Sequence, residues 1–474
     1  MRYRKYIKKQ LNAFGYCRNV MFFLTFTTSL SAQAQSTNDL PADEVKLFES
    51  QLIRDDFLNI EDQLARLEVE KAKLEFDLAK KASCPTINGF VNGGFRDDTF
   101  RFSVGSDIDI SGHFISSNIS LEQPIFDGFK TKHSIGKADA NMRSTSASLN
   151  RIQQQSRLDL INALIAIKLA KGQLQLREDG FAALNAQLAS LLAKKDRGLA
   201  TTTEISNVAS AKGLISASIE TARRDLDIAI LEWQSLGGRQ DVETIPLPLM
   251  DSLPNSPDLI LKEALLNNPL IIELKNLVEA ANFETSIQKS NSYPNVNLIG
   301  QVSASESPVS FGDFSDQQEA LSGIVGLNVE IPIYQSGQNS GARKIAHVEE
   351  QSAKLDLDLA VRDITLAVMS NWKAIEAYER LQDINTEAIN ASQKSANGYE
   401  RGLNAGVSTI QEVVQANLDL IAAKERLLAN RLNKEEHRYA LNGLMGRIFE
   451  ASTVNENATN EVSWFAPINC LKGR

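Results

Sequence analysis

Four histidines are the first residues to test for chemistry, and His113, His133, His347 and His437 each stand alone in the chain. A metal site needs imidazoles, thiolates or carboxylates spaced so that they can converge on one ion, and none of the four has such a neighbour. No glycine-rich phosphate loop and no nucleophile elbow occurs. The chain therefore offers no catalytic constellation, no metal set and no cofactor fingerprint. It reads as a non-enzyme that works through surface and shape.

The elements that provide that shape begin after the N-terminus. Arg2, Arg4, Lys5, Lys8, Lys9 and Arg18 precede an apolar run from Val20 to Leu30, followed by Ser31-Ala32-Gln33-Ala34. This pattern reads as a secretory signal over residues 1–34, too short in its apolar part to span a bilayer. Without those six basic residues, 44 bases face 59 acids, a balance of −15 that argues against a nucleic-acid partner. Cys17 leaves with the signal and precedes its apolar run, so it is not the modified cysteine of a lipoprotein. Cys84 and Cys470 remain, either as a disulfide or as two separate thiols.

No later window is apolar enough for a membrane helix, so a membrane-embedded form would have to be a β-barrel. The sequence contains strands of that type. From Leu321 to Tyr334 the odd positions are Leu, Gly, Val, Leu, Val, Ile and Ile, and the even ones include Ser322, Asn328 and Glu330. Alternation of this kind marks a strand with one apolar and one polar face, long enough at ~3.3 Å per residue to cross a bilayer. A weaker copy lies at 113–126, and both end alike, in Gln-Pro-Ile-Phe and Ile-Pro-Ile-Tyr. Shorter alternations predict strands at 86–96 and 295–304.

Proline is missing between Pro124 and Pro246 and again between Pro332 and Pro467, which leaves room for very long helices. In the first gap a helix runs to about Lys195, turns at Gly198, and returns to Leu236. In the second, a matching helix turns near Gly406 and returns to Leu444. The pairs Pro124/Pro332, Gly198/Gly406 and Gly238/Gly446 share an offset of 208 residues, which marks an internal duplication. The expected organisation is a first repeat over 35–245, a proline-rich linker over 246–257, a second repeat over 258–450 and a tail over 451–474. Each repeat holds a helix, two strands and a long helical hairpin. The last helix carries two apolar rows, which fits either a helix packed on both sides or an antiparallel coiled coil.

Four strands cannot close a membrane barrel, and open edges in lipid leave backbone groups unpaired, so several chains would have to pool their strands. The repeat, the proline-ended strands, Asn268-Pro269-Leu270 and the run from Gly406 to Ala416 together resemble the TolC family of outer-membrane efflux proteins. The resemblance covers about 45–450. It implies a mainly α fold with a membrane β part: a homotrimer whose twelve pooled strands form a barrel in outer-membrane lipid, continued by a periplasmic α-helical barrel. It also implies docking to a periplasmic adaptor protein and to an inner-membrane ABC or other transporter.

Family members carry two acidic residues beyond the helix turn that constrict the periplasmic tip. The resemblance places them on Glu412 and Gln415 in the second repeat, and on Glu204 and Asn207 in the first. From the residues alone, Glu412 reads as part of a solvated helix face, and it is the resemblance that sets the gate beside that reading. The family's gate-locking arginine falls on Ser408. The same tube serves type I protein secretion and small-molecule efflux, and the absence of a lipid-anchor cysteine favours the secretion branch. A periplasmic coiled-coil adaptor or a structural stalk would share the helices but not the duplicated strands.

Overall fold

In a computed structural model of the chain, residues 59–448 are described, apart from short stretches at 102, 104–107, 239–241, 243–244, 249–251 and 312–313. The expected signal, the segment 35–50 and the tail 451–474 lie outside the described residues. The elements run α1 (Ile60–Lys81), β1 (Thr86–Phe100), β2 (Ile108–Phe126), α2 (Lys130–Lys195) and α3 (Thr202–Ser235). They continue with α4 (Pro257–Asn267), α5 (Pro269–Ser290), β3 (Asn295–Phe311), β4 (Phe314–Glu330), α6 (Gln338–Asn404) and α7 (Ile410–Leu444).

The strands form one antiparallel sheet in the order β1-β2-β3-β4, so β1 and β4 are open edges. Register settles the two faces. Ile87, Val91 and Phe95 of β1 pair with Leu121, Ser117 and His113 of β2, and the same side continues through Ile119 and Val302 to Gly323. On the other side Asn88 pairs with Ser120, and the row Asn118, Ser303, Ser322 crosses three strands, with the two serine hydroxyls 2.7 Å apart. One face is apolar and the other is lined by amides and hydroxyls. Ile87, Val91, Ile119, Val325 and Leu327 are all more than half exposed in the single chain.

Three strands extend beyond the expected ends, to Phe100, back to Ile108 and on to Phe311. A backbone ladder needs no apolar side chains once it leaves lipid, so alternation underestimates its length. β4 also starts earlier than expected, at Phe314, and stops at Glu330, short of the expected Tyr334. Pro332 cannot donate to the ladder. Pro124 is tolerated in β2 at a register shift between Pro124 and Phe126. The single helix expected at 258–290 is two, because Pro269 has no N–H to continue α4. It starts α5 instead, capped by the Asn268 side chain accepting from the Leu270 N–H at 3.0 Å.

α2 and α6, of 66 and 67 residues, each extend about 100 Å from the sheet. The duplication is preserved in the backbone. The consecutive left-handed residues Gly128-Phe129 reappear 208 positions later as Ser336-Gly337, and the turn glycines Gly198 and Gly406 have φ of 74° and 75°. α7 is packed on both sides. Ile410 and Val414 join Leu184, Val208 and Ala211 of the first hairpin, while Ala416 and Leu420 meet Ala396 of α6.

The α2–α7 seam is close because α2 presents glycines. A Cβ on Gly172 or Gly180 would fall 2.4 Å from Leu428 and 2.3 Å from Ile421 respectively, so those side chains sit as knobs in glycine holes. Between the holes, Arg177 donates from Nε to Glu425 at 2.8 Å and from a terminal nitrogen to the Ser218 carbonyl at 3.0 Å, joining α2, α7 and α3.

Candidate functional site

The far ends of the two hairpins form the candidate site, and the local sequence explains their shape. Each first helix closes with glycine in the left-handed region, which a Cβ would disfavour. Leu199 N–H then reaches back to the Lys194 carbonyl at 2.9 Å, and Val407 N–H to that of Gly402 at the same distance. The residues after the glycines, Leu199 and Val407, are apolar yet 73% and 82% exposed. Ser408, where the resemblance expects the locking arginine, is folded onto its own turn. Its N–H donates to the Gly402 carbonyl at 3.2 Å, and its hydroxyl occupies the space a Cβ on Gly402 would need.

The returning helices open with identical capping boxes. Thr409 Oγ1 accepts from the Glu412 N–H at 3.3 Å, and the Glu412 carboxylate accepts from the Thr409 N–H at 2.7 Å and from its hydroxyl at 2.9 Å. Thr201 and Glu204 repeat the arrangement at 3.2, 2.7 and 2.8 Å. These backbone and hydroxyl hydrogen bonds from the cap threonines hold both carboxyls below the usual carboxylate range, so both are ionised at neutral pH. The carboxylates expected at the gate thus also start their helices, where the positive end of the helix dipole favours an anion. Ile410 and Val414 pack with Val208 and Ala211, which brings the two tips together.

Gln415 and Asn207 are exposed one turn beyond Glu412 and Glu204. Gln415 donates to Asp419 at 2.9 Å, which gives the exposed stripe Glu412–Gln415–Asp419 a second carboxylate. Asp419 lies beyond the two tip positions that the resemblance marks in this repeat. The signal for it in the sequence is its spacing, four residues after Gln415 and over the same helix face.

The histidines stay apart. His113 lies edge-on to Phe95, His133 rests on Phe283, His347 lies 3.6 Å from Glu350 and His437 stacks on Tyr378. Among the described residues no group could hold a metal ion, and no helix is long and apolar enough to cross a membrane. Cys84, between α1 and β1, is disulfide-bonded, and Cys470 lies outside the described residues.

The family model described as outer membrane efflux protein matches residues 63–238 and 260–447, one segment in each repeat. The chain belongs to this family. It is similar to the outer membrane efflux protein BepC of Brucella suis, with 25% identity over 330 residues, 70% of this chain and 72% of that one. It is 24% identical over 344 residues to the alkaline protease secretion protein AprF of Pseudomonas aeruginosa, covering 68% of this chain and 66% of AprF. A solved structure of the CmeC outer membrane channel of Campylobacter jejuni has the same fold, with a TM-score of 0.70 at 11% identity over 92% of this chain and 95% of that one. This family member is accordingly a non-enzymatic efflux channel of the outer membrane, as the resemblance to TolC implies. Channels of the family are trimeric and work with adaptors and inner-membrane transporters.

Proposed function

We propose that three copies of this chain pool their four strands into one barrel and their long helices into a periplasmic tube. The tube receives cargo from an adaptor and an inner-membrane ABC transporter and delivers it outside the cell. The observation that carries this reading is the sheet, with one apolar face, one polar face and two unpaired edges that only further strands can satisfy in lipid. Leu64, Leu67, Leu74 and Leu78 of α1 support lateral assembly, since the chain's own contacts use Ala65, Val69 and Ala72 and leave the leucines outward. Exposed Leu199 and Val407 at the turns supply apolar anchors for an adaptor.

The cargo we assign is polypeptide, through a type I secretion route. AprF, named for protease secretion, supports this, as does a polar face rich in amides and hydroxyls that can serve a passing backbone. Deleting the chain from its host should leave a secreted protein inside the cells without changing drug susceptibility. The reverse pattern would assign the channel to small-molecule efflux.

We further propose that Glu412 and Glu204, with Gln415 and Asn207, line the constriction at the tip. The purified trimer in planar bilayers should show a small, cation-selective conductance. Glu412→Gln preserves the cap, because glutamine also serves at that position, but removes the charge, so selectivity should fall with little gain in conductance. Glu412→Ala should lose both and conduct more. A depressed carboxyl pKa stabilises the tip above the unfolded value and loses that contribution as pH falls through the folded one. Selectivity should therefore persist from neutral pH down to the ordinary carboxylate range, near pH ~4, and fade below it. No conductance from a folded trimer would overturn the channel, and wild-type selectivity and conductance in both variants would overturn the gate.

A further inference from the structure

The ends of the helices that meet the sheet carry a charge pattern that helix stability does not explain. α3 and α7, at the far tips, begin with a capping glutamate, as a helix dipole favours. α2 and α6, which begin at the sheet, have no acidic residue in the first turn and no side-chain cap from the N-cap residue. α2 opens with Lys130 and Lys132 where an acid would stabilise it, and α6 carries Arg343 and Lys344 in its second turn. Lys81 closes α1, and Lys289 is the penultimate residue of α5. All six are exposed and lie within seven residues of a helix end at the sheet, about 10 Å along the axis.

Contacts across the junction gather these ends into one belt. Asn339 of α6 donates to the Asn291 carbonyl after α5 at 2.8 Å, and Gln123 of β2 donates to the Ser83 carbonyl after α1 at 2.6 Å. Burial first, then Lys132 and Lys289, push the His133 imidazole to lower pKa against the opposing pull of Asp127, so the cations of α2 and α5 both lie near His133.

The nearby acids have partners of their own, although Glu284 also acts on Lys130. Asp77 bridges Lys80, Glu284 bridges Lys137, and Asp127 accepts from the Thr131 N–H. Glu122 and Glu330 lie at the same edge of the sheet, in register positions on its polar face. Just outside the strands at this end of the sheet, Phe129, Tyr293 and Tyr334 are all exposed.

An exposed apolar band, an aromatic rim and then a cationic belt is the sequence a chain meets as it leaves hydrocarbon for headgroups. The belt's depth matches the headgroup layer. It is also cationic in a chain whose net charge is −9.

We propose that this belt binds the phosphates of anionic phospholipids in the periplasmic leaflet, fixing the depth of the channel and preferring anionic lipid around it. The proposal rests on the channel reading, which places the sheet in the membrane. Lysines at a helix start add to the dipole instead of opposing it, and phosphate is the ligand such a potential selects.

The test uses the full trimer purified in mild detergent and equilibrated with vesicles of phosphatidylcholine containing about a third phosphatidylglycerol, a fraction at which surface attraction is appreciable. Retained lipid is then quantified by mass spectrometry. Wild type should enrich phosphatidylglycerol several-fold, and the enrichment should fall steeply with salt. The variant K130Q/K132Q/K289Q/R343Q/K344Q should lose that several-fold enrichment and retain phosphatidylglycerol near its share in the vesicles. The equal charge change far from the sheet, K171Q/K194Q/K195Q/R223Q/R224Q, should retain it.

Conductance of both variants is measured in parallel. A folded, conducting belt variant with wild-type enrichment overturns the belt alone, whereas loss of conductance in wild type overturns the channel. Should the five-fold variant fail to assemble, R343Q/K344Q and the salt dependence of wild type decide, and a salt-independent enrichment overturns the proposal. Abolition of the preference by millimolar inorganic phosphate at constant ionic strength would mean a free-phosphate site and would also overturn it.

Discussion

Gly128→Ala should remove most of the heat-resistant trimer, although it adds a single methyl group. Gly128 is buried where β2 hands over to α2, and its φ of +67° lies in the left-handed region. An alanine there costs about 1 kcal/mol in backbone strain alone. A Cβ would also sit 2.7 Å from both the Ser290 carbonyl and the Tyr293 Cβ. Neither can swing away like the end of a long side chain, so the start of α2 and the end of α5 must separate. Overpacking of this kind adds roughly 1–3 kcal/mol, for a total near 2–4 kcal/mol out of a typical stability of about 5–15. The same two helices carry the Lys137–Glu284 and Arg143–Glu279 ion pairs, so the disturbance spreads down the seam. Gly213→Ala is the control, because it lies within α3 with nothing within 4 Å of the added Cβ, and it should leave the trimer unchanged or slightly firmer. Melting of the trimer on unboiled gels as temperature rises is the measurement. Equal melting of Gly128→Ala and wild type would mean the junction is looser than its contacts require.

The parts of this architecture legible in the sequence are those governed by local rules. Alternation from Leu321 to Val329 marks a strand whatever it packs against, because side chains in a strand must alternate. The 208-residue offset survives because left-handed turns require glycine at Gly198 and Gly406, and because the proline near the end of β2 reappears just beyond β4. Strand ends were less legible. Asp97 breaks the apolar row of β1 while the ladder continues, and the Arg96 and Asp98 side chains on the polar face bridge at 2.7 Å. Asn268-Pro269 was visible in the sequence, but whether proline bends a helix or starts a new one depends on the cap, which the Asn268 side chain provides.

The tip was harder to read because one residue serves two roles. Glu412 lies where a family alignment expects a gate carboxylate, and also three residues after Thr409, where a capping box expects the same residue type. Composition cannot separate these roles, whereas the hydrogen bonds show at least the second. Non-local partners were out of reach altogether. Nothing near Arg177 in the sequence announces Glu425, 248 residues away, because the pairing depends on two antiparallel helices meeting in one register. The glycines that permit this approach, Gly172 and Gly180, read in isolation as weak points in a helix.

That node supports the second large effect: Arg177→Met should free the two hairpins from one another and raise single-channel conductance several-fold. Methionine keeps the packing of the arginine stem while removing the guanidinium, so the change tests the hydrogen bonds more than the volume. Arg177 and Glu425 are about one-fifth exposed at the side chain, too sheltered for their bridge to be an ordinary surface pair. Removing one partner of a fully buried pair costs about 3–5 kcal/mol, and solvent access reduces that to roughly 1–3 here. The loss is local, because the knobs Ile421 and Leu428 remain in their glycine holes on either side. The expected result is therefore a folded trimer whose hairpins separate more readily. Faster amide exchange near Ser218, whose carbonyl loses its donor, should accompany the higher conductance. Glu425→Gln should reproduce part of the effect, and the double variant should add little to Arg177→Met, giving a coupling of about 1–2 kcal/mol. Strictly additive effects of the two substitutions would show that the pair does not act as a unit. Unchanged conductance alongside faster exchange would confine the clasp to stability and return control of the opening to the acidic tip.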